Sequence, residues 1–326
     1  MSRDCDEALD LDVLVVGSAM VEITPAEMGR PLSQVEQMVP LASGSAANFA
    51  AVLASLDVAV ALMTRVGDDE LGEWLVDRLR DKDIVTDFAM PVDGQRTPLS
   101  FAWMDQGGEK TFYFYRFPGF SDPMSALRPE DISTDALQRC RLFDFTEAGI
   151  RNEPLRSATL AGARLAREIE REVCYAVNYR PSAWLGQAER EIVSVQREAC
   201  ACADIVLMNL EEAAVVTGYV EAPEAAEEVA ALGPGLVIIT AGDDGATVLI
   251  DDELLHIPAR HVEVVYDIGA GDTFHAGLLA AHLAGMDARE AARFASDAAA
   301  LRIGRDVTQP NPTFDEVFGL AERHKG

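Results

Sequence analysis

The stretch Val264-Val265-Tyr266-Asp267-Ile268-Gly269-Ala270-Gly271-Asp272-Thr273-Phe274-His275-Ala276-Gly277 leads a short apolar run into a Gly-Ala-Gly turn, and a helical pattern from Thr273 to Ala284 opens directly after it. With no bulky side chain at Gly269, Ala270 and Gly271, successive backbone N–H groups can face an incoming anion, and the positive end of the helix dipole adds to them. Asp272 falls in the first helical turn, where its carboxylate can take a proton from an attacking hydroxyl. A base and an anion hole so close together suit phosphoryl transfer. The same residues equally describe a glycine turn whose aspartate helps to cap a helix. The rest of the chain has to decide between the two.

Working outward, β-rich apolar runs alternate with helical patterns. Leu11 to Val16, Val58 to Thr64, Val173 to Asn178, Ile205 to Met208, Leu236 to Thr240 and Ala246 to Ile250 read as buried strands. Asp68 to Lys82, Glu153 to Arg171, Ala188 to Ala203 and Thr273 to Ala284 read as helices. This alternation predicts an α/β fold, a mostly parallel sheet with helices on both faces. Two regions depart from it. Thr97 to Asp105 and Lys110 to Phe117 pattern as a hairpin about the turn Gln106-Gly107-Gly108-Glu109. Val21 to Pro40 follows the first strand without helical periodicity. Together they predict a small β lid from about residues 20–40 and 95–118, set into one α/β body from about 11–19, 41–94 and 119–320, a single domain over 1–326. Aromatic residues occupy both faces of the second hairpin strand. One face is therefore expected to pack on its own domain and the other to cover a ligand or a second copy, so pairing of two copies through the lid is an expectation.

Composition narrows the partners. A formal charge of −28, with 49% apolar residues, gives no basic footprint for nucleic acid or an anionic membrane surface. No apolar run approaches the roughly 18 residues of a membrane span. The acidic start MSRDCDEALDLD is unlike a secretory signal, so a cytoplasmic setting is expected. The five cysteines (Cys5, Cys140, Cys174, Cys200, Cys202) are odd in number and scattered, with no spacing for a zinc set, and read as reduced thiols.

Further motifs bear on the opening question. In Ser43-Gly44-Ser45-Ala46-Ala47-Asn48-Phe49-Ala50 a tight turn at Gly44 opens a helix, and Asn48 presents an amide that can donate to and accept from sugar hydroxyls. Asn48 could instead satisfy buried backbone. Thr64-Arg65-Val66-Gly67-Asp68-Asp69-Glu70-Leu71-Gly72 follows. Asn209-Leu210-Glu211-Glu212 comes directly after a strand; Glu212 suits a hard, hydrated cation, although Asn-x-x-Glu is also a frequent capping pattern. Thr240-Ala241-Gly242-Asp243-Asp244-Gly245-Ala246 reads locally as strand–turn–strand.

These segments and the Gly-Ala-Gly-Asp turn resemble the signatures of the ribokinase-like (PfkB) carbohydrate kinase family, in the family's order, over Leu11 to about Pro312. The resemblance implies a doubly wound α/β body with a β lid, ATP as phosphoryl donor and Mg²⁺ as cofactor. It implies Asp272 as base, the Gly269, Ala270 and Gly271 amides as anion hole, and Gly44 and Asn48 at the sugar. It also implies Asn209, Thr240, Gly242, Gly245 and Gly271 along the nucleotide, and Glu212 near Mg²⁺ through water. Two positions depart: Ser43 replaces a glycine, and Tyr266-Asp267 replaces the Asp-Thr that in many relatives helps bind a monovalent cation. A cation requirement is left open. These departures also motivate a competing expectation, a non-catalytic sugar-sensing homologue, against which the intact Asp272 speaks.

For the acceptor, Glu22 takes the place where many relatives carry a sugar-binding aspartate. Asn178-Tyr179-Arg180-Pro181-Ser182-Ala183-Trp184 is similar to a segment of 2-keto-3-deoxygluconate kinases, 5-dehydro-2-deoxygluconokinases and some fructokinases. There Arg180 can face a substrate carboxylate, whose geometry a guanidinium fork matches, with Arg116 at the end of the lid strand as a second candidate. The expected substrate is 2-keto-3-deoxygluconate or a related keto-acid sugar. A fructose-like ketose or hexose, or a nucleoside, stays open.

Overall fold

The computed structural model describes residues 9–27, 30–104, 110–115, 122–181, 184, 186–265, 269–305 and 309–322. Its strands are β1 (Val13–Val16), β2 (Met20–Pro25), β3 (Met38–Ser43), β4 (Val60–Gly67), β5 (Ala89–Val92), β6 (Leu99–Met104) and β7 (Lys110–Tyr115). They continue as β8 (Leu142–Thr146), β9 (Glu172–Ala176), β10 (Ile205–Asn209), β11 (Leu236–Thr240), β12 (Ala246–Ile250) and β13 (Glu253–Ile257). One sheet has nine strands in the order β13-β12-β11-β10-β9-β8-β1-β4-β5. It is parallel from β11 to β5 and antiparallel at β11–β12–β13. The second sheet, β3-β2-β6-β7, is the expected lid.

The chain winds outward from β1 in both directions, and the side chains show why both faces of the large sheet must be covered. In β1 every residue is buried: Val13 and Val15 join one core, Leu14 and Val16 the other, as period-2 alternation requires. Helices α1 (Ser45–Ser55), α2 (Glu70–Arg80), α8 (Ala270–Leu283), α9 (Ala288–Ile303) and α10 (Phe314–Glu322) cover the first face through Phe49, Leu53, Leu75, Leu279, Phe294 and Val317. Helices α3 (Thr134–Arg139), α4 (Leu155–Glu168), α5 (Glu189–Ala201), α6 (Leu210–Thr217) and α7 (Ala222–Ala230) cover the second through Leu137, Leu160, Ile192, Val216 and Val229. Each such aliphatic side chain contributes about 1.5–3 kcal/mol by leaving water. Helices α8 and α9 approach very closely: a methyl on Gly277 would lie 3.0 Å from Ala295 Cα.

The Val-Gly-Asp-Asp segment fastens lid to body. Asp69 caps α2 by accepting from the Gly72 amide at 2.9 Å. It also accepts from the Thr97 amide at 3.0 Å and the Thr97 hydroxyl at 2.6 Å, just before β6. A Cβ on Gly67 would come within 2.3 Å of the Thr97 nitrogen, so the two segments meet backbone to backbone. Burial pushes the Asp69 carboxyl up, but the bonds from Thr97 and Gly72 outweigh it and hold its pKa below the usual value.

Several sequence expectations are revised. The lid strand β3 runs to Ser43, so residues 41–43 belong to the lid, not the body. Strands β5, β8 and β13 carried no sequence assignment. The expected packing of one aromatic face of β7 onto its own domain is not seen: Tyr113, Phe114 and Tyr115 are 60%, 66% and 50% exposed. Strand β7 lies at the edge of the small sheet, where among the described residues its pairing partner is β6. The turn 106–109, Arg116, Ser182, Ala183 and Tyr266-Asp267 lie outside the described residues, and so does Cys5. The other four cysteines are free and buried. No helix among the described residues is long and apolar enough to cross a membrane.

Candidate active site

Asp272 stands at the third position of α8, whose cap is Gly269 at φ 86°. That left-handed backbone suits glycine. The Ala270, Gly271 and Asp272 amides lie too early in the helix to find a carbonyl four residues back, whereas the Thr273 amide already reaches Gly269 O at 2.8 Å. A methyl on Gly271 would meet nothing within 4 Å among the described residues, so the turn is open to an approaching group. Asp272 itself is half-buried and lines the cleft. Burial pushes its carboxyl above the ordinary aspartate value, the charges of His275 and Arg180 pull it down, and Asp144 pushes it up again.

Two cavities meet at Asp272 and Gly269. The smaller, about 150 Å³, is walled by Arg180, Asn209, Glu212, Thr240, Gly271 and His275 among others. Asn209 and Thr240 are register partners at the C-terminal ends of adjacent parallel strands, where open α/β sheets bind ligands. Asn209 caps α6 by accepting from the Glu212 amide at 2.8 Å, and Glu212 Oε2 accepts from the Asn209 amide at 2.9 Å. Glu212 Oε1 accepts from the Tyr179 amide at 2.8 Å. Burial raises the Glu212 carboxyl, and those backbone donors oppose it. The capping reading of Asn-x-x-Glu is thus realised, with the carboxylate still facing the cavity. Each oxygen keeps a lone pair for a water, which fits a hydrated Mg²⁺ better than direct ligation. Gly242 and Gly245 shape the turn after β11 instead of these walls. A Cβ on Gly245, at φ 88°, would fall 2.1 Å from Ile257 O.

The larger cavity, about 800 Å³, is walled by Glu22 on β2, Ser43, Asn48 on α1, Trp103 on β6 and Arg302 on α9 among others. Ser43 Oγ donates to Glu22 Oε2 at 3.3 Å, and Asn48 Nδ2 donates to Ser43 Oγ at 3.4 Å. The serine that replaces a family glycine therefore links Glu22 and Asn48, the two residues expected at the sugar. Burial raises the Glu22 carboxyl, with Ser43 opposing. Gly44, at φ 114°, is irreplaceable by sterics: a Cβ would lie 2.5 Å from Ser18 O.

Thus Glu22, Asn48 and Asp272 come together in one cavity, and Asn209, Thr240, Glu212 and Asp272 in the other. Arg180, expected beside a substrate carboxylate, lines the second cavity and not the first, because it follows β9 at the strand-end side of Asp272. Four other residues carried no sequence signal. Arg302 lines the large cavity. Glu147 is 2% exposed; it accepts from Trp184 Nε1 at 2.6 Å and from the Arg180 amide at 3.4 Å, holding the loop that carries Arg180. Asp144 on β8 lies 2.9 Å from His275 Nε2, and both are buried.

A family model described as pfkB family carbohydrate kinase matches residues 10–313. The chain belongs to that family. This carbohydrate kinase is a phosphotransferase acting on a sugar alcohol group. It is 29% identical over 271 residues to a protein of Arabidopsis thaliana described as probable fructokinase-2, covering 82% of this chain and 80% of that one. It is 24% identical over 328 residues to a 5-dehydro-2-deoxygluconokinase of Clostridium tetani, covering 98% and 95%. In fold it matches a putative ribokinase II of E. coli, solved in complex with ATP and Mg²⁺, at TM-score 0.83 and 21% identity over 96% of this chain and 100% of that one.

Proposed function

We propose that this carbohydrate kinase transfers the γ-phosphate of ATP to a hydroxyl of a keto-acid sugar of the 2-keto-3-deoxygluconate type, with Asp272 as general base. One observation carries the reading: Asp272 is shared by a hydroxyl-binding cavity and a strand-end cavity, beside three helix N–H groups without intrahelical partners. The acceptor lies against Glu22, Ser43 and Asn48, with its reacting hydroxyl at Asp272. Asp272 takes the proton as the oxygen attacks in line. The Ala270, Gly271 and Asp272 amides hold the charge that develops on the phosphoryl oxygens. Arg180, Asn209 and Thr240 orient the triphosphate from the strand ends, and Gly242 and Gly245 give the nucleotide loop its shape. Mg²⁺, when bound, would supply charge neutralisation at the phosphates, and Glu212 would help to hold it. The lid closes over the sugar and excludes water, and two copies pair through its exposed aromatic edge in a cytoplasmic enzyme.

The acidic-sugar reading is supported by the relatives described as 5-dehydro-2-deoxygluconokinases, which match along nearly the whole chain, and by Arg302 in the sugar-side wall. A second reading, a neutral ketose, is favoured by the Glu22–Ser43–Asn48 hydrogen-bonded wall, a surface made for hydroxyls. ADP release measured with Mg·ATP and a panel of keto-acid sugars, ketoses and nucleosides decides between them. Absence of ADP release with every acceptor would overturn catalysis itself, and near-normal turnover by Asp272→Asn would remove Asp272 as base.

A further inference from the structure

We infer that Glu147 and Trp184 are positioning residues for phosphoryl transfer: the hydrogen bond between them latches the loop after β9 and sets the Arg180 guanidinium in the strand-end cavity. This rests on that cavity being the triphosphate site, as proposed above.

Sheet topology brings the latch together. Strand β9 lies between β8 and β10 and runs parallel to both, with Thr146 and Leu207 as register partners of Ala176. The residues that follow the three strands therefore emerge side by side. The chain leaving β9 turns at Asn178, whose φ of 40° is left-handed, a conformation asparagine tolerates better than most side chains. The next two amides are each taken up by a buried glutamate, one from either side. Tyr179 N–H donates to Glu212 Oε1 at 2.8 Å, on the β10 side. Arg180 N–H donates to Glu147 Oε1 at 3.4 Å, on the β8 side. That second bond is long, and the firmer hold on this side is the bond from Trp184 Nε1 to the same oxygen, at 2.6 Å. The Trp184 ring is 2% exposed, packs in the second core and lies 6.4 Å from the Tyr179 ring, tilted by 42°.

Glu147 is itself anchored. Ile150 N–H closes the turn after β8 on Glu147 O at 3.0 Å, and Arg156 Nε donates to Ile150 O at 2.7 Å. A methyl on Gly149 would lie 3.1 Å from Thr159 Oγ1 of α4, so the turn is seated on that helix. Oε2 of Glu147 faces Arg151 Nε at 3.4 Å. Both loop bonds are accepted by Oε1, so the latch is the same whether the carboxyl is ionised or carries a proton on Oε2. The group it positions is cationic in every case. Arg180 is exposed, and among the described residues the one hydrogen bond of its guanidinium runs from Nη1 to Tyr179 O, at 3.4 Å. Its place in the cavity is therefore set by the loop backbone, which the two glutamates hold. Burial raises the carboxyls of Glu147, Glu212 and Asp272, and the Arg180 charge pulls each of them back, as a guanidinium standing among the three must.

The test is binding of the β,γ-imido analogue of ATP and of ADP, each with Mg²⁺ and without sugar, by calorimetry, with thermal melting alongside. Arg180→Ala should weaken the analogue by about 10–100-fold and ADP much less, because the cavity Arg180 lines is the one that holds Asp272 and Gly271. Glu147→Ala, and Trp184→Phe, which keeps a ring without a donor, should each weaken the analogue by about 3–10-fold. In the Arg180→Ala background each should cost less than about twofold more, since residues that act through one another are not additive. Glu147→Gln keeps an acceptor oxygen and should recover most of what Glu147→Ala loses. Where Glu147→Ala does not fold, Trp184→Phe carries the same comparison. A lowered melting temperature with an unchanged ratio of analogue to ADP affinity would make the latch merely structural and overturn the inference. So would an equal loss with and without Arg180. If Arg180→Ala binds the analogue as tightly as wild type, the triphosphate assignment fails and the inference with it; if Arg180→Ala loses affinity while the latch variants do not, only the inference fails.

Discussion

The two cavities that meet at Asp272 are built in opposite ways. The strand-end cavity is small and its key groups are held by backbone: Glu212 takes amide bonds from Tyr179 and Asn209, and Glu147 takes one from the Arg180 amide. The sugar-side cavity is several times larger and takes its walls from the lid, α1, α9 and the segment Gln309–Thr313. Its polar groups touch one another through side chains of moderate length, Glu22 to Ser43 to Asn48. The contrast teaches a division of labour. Phosphate recognition needs a fixed cradle, because the developing charge gains most from donors that need not reorganise. On the proposed assignment, acceptor recognition is left to side chains that can vary without disturbing the strands, and substrate choice would lie there.

The comparison can be broken at the point the two cavities share. Asp272→Asn should lower kcat by about 10²–10⁴-fold, with sugar binding retained by calorimetry. On the rigid side, Glu212→Ala strips partners from two backbone amides, each worth about 1–3 kcal/mol when buried and unsatisfied. Urea unfolding should register that loss, and the KM for ATP should rise while the KM for sugar holds. Where lid meets body, Asp69→Ala removes a helix cap and both Thr97 bonds. A stability loss of about 2–3 kcal/mol is expected by chemical denaturation. The finest probe is Glu22→Gln. An acidic sugar should keep or improve its KM when that carboxylate is neutralised, whereas a neutral ketose should lose about 5–20-fold for want of a strong acceptor.

The strands that read most clearly, β11 and β12, are continuous apolar runs, Leu236 to Thr240 and Ala246 to Ile250, and their bounds agree with the structure. Among the strands that did not, β8 reads Leu-Phe-Asp-Phe-Thr, and Asp144 at its centre breaks the apolar run. The residue that hid the strand is the one that faces His275. His275 itself sits at a position the family signature leaves free, so the motif gave it no weight. Arg180 was legible as a site residue but not its side of Asp272, because the cavity that a loop after a strand faces is decided by neighbouring strands far away in sequence. Ser43 looked like a flaw in a glycine motif, and its link to Glu22 came only from the pairing of β2 with β3.

The helix end at Ala270, Gly271 and Asp272 has a consequence for the bench. Amides lacking intrahelical acceptors recognise tetrahedral oxyanions in general, and a ligand that binds only the folded state raises its melting temperature in proportion to the logarithm of concentration over Kd. Sulfate or phosphate buffers should therefore protect this kinase against heat better than chloride at matched ionic strength. The same buffers should read as competitive inhibitors toward ATP, so a rate measured in phosphate will understate the enzyme.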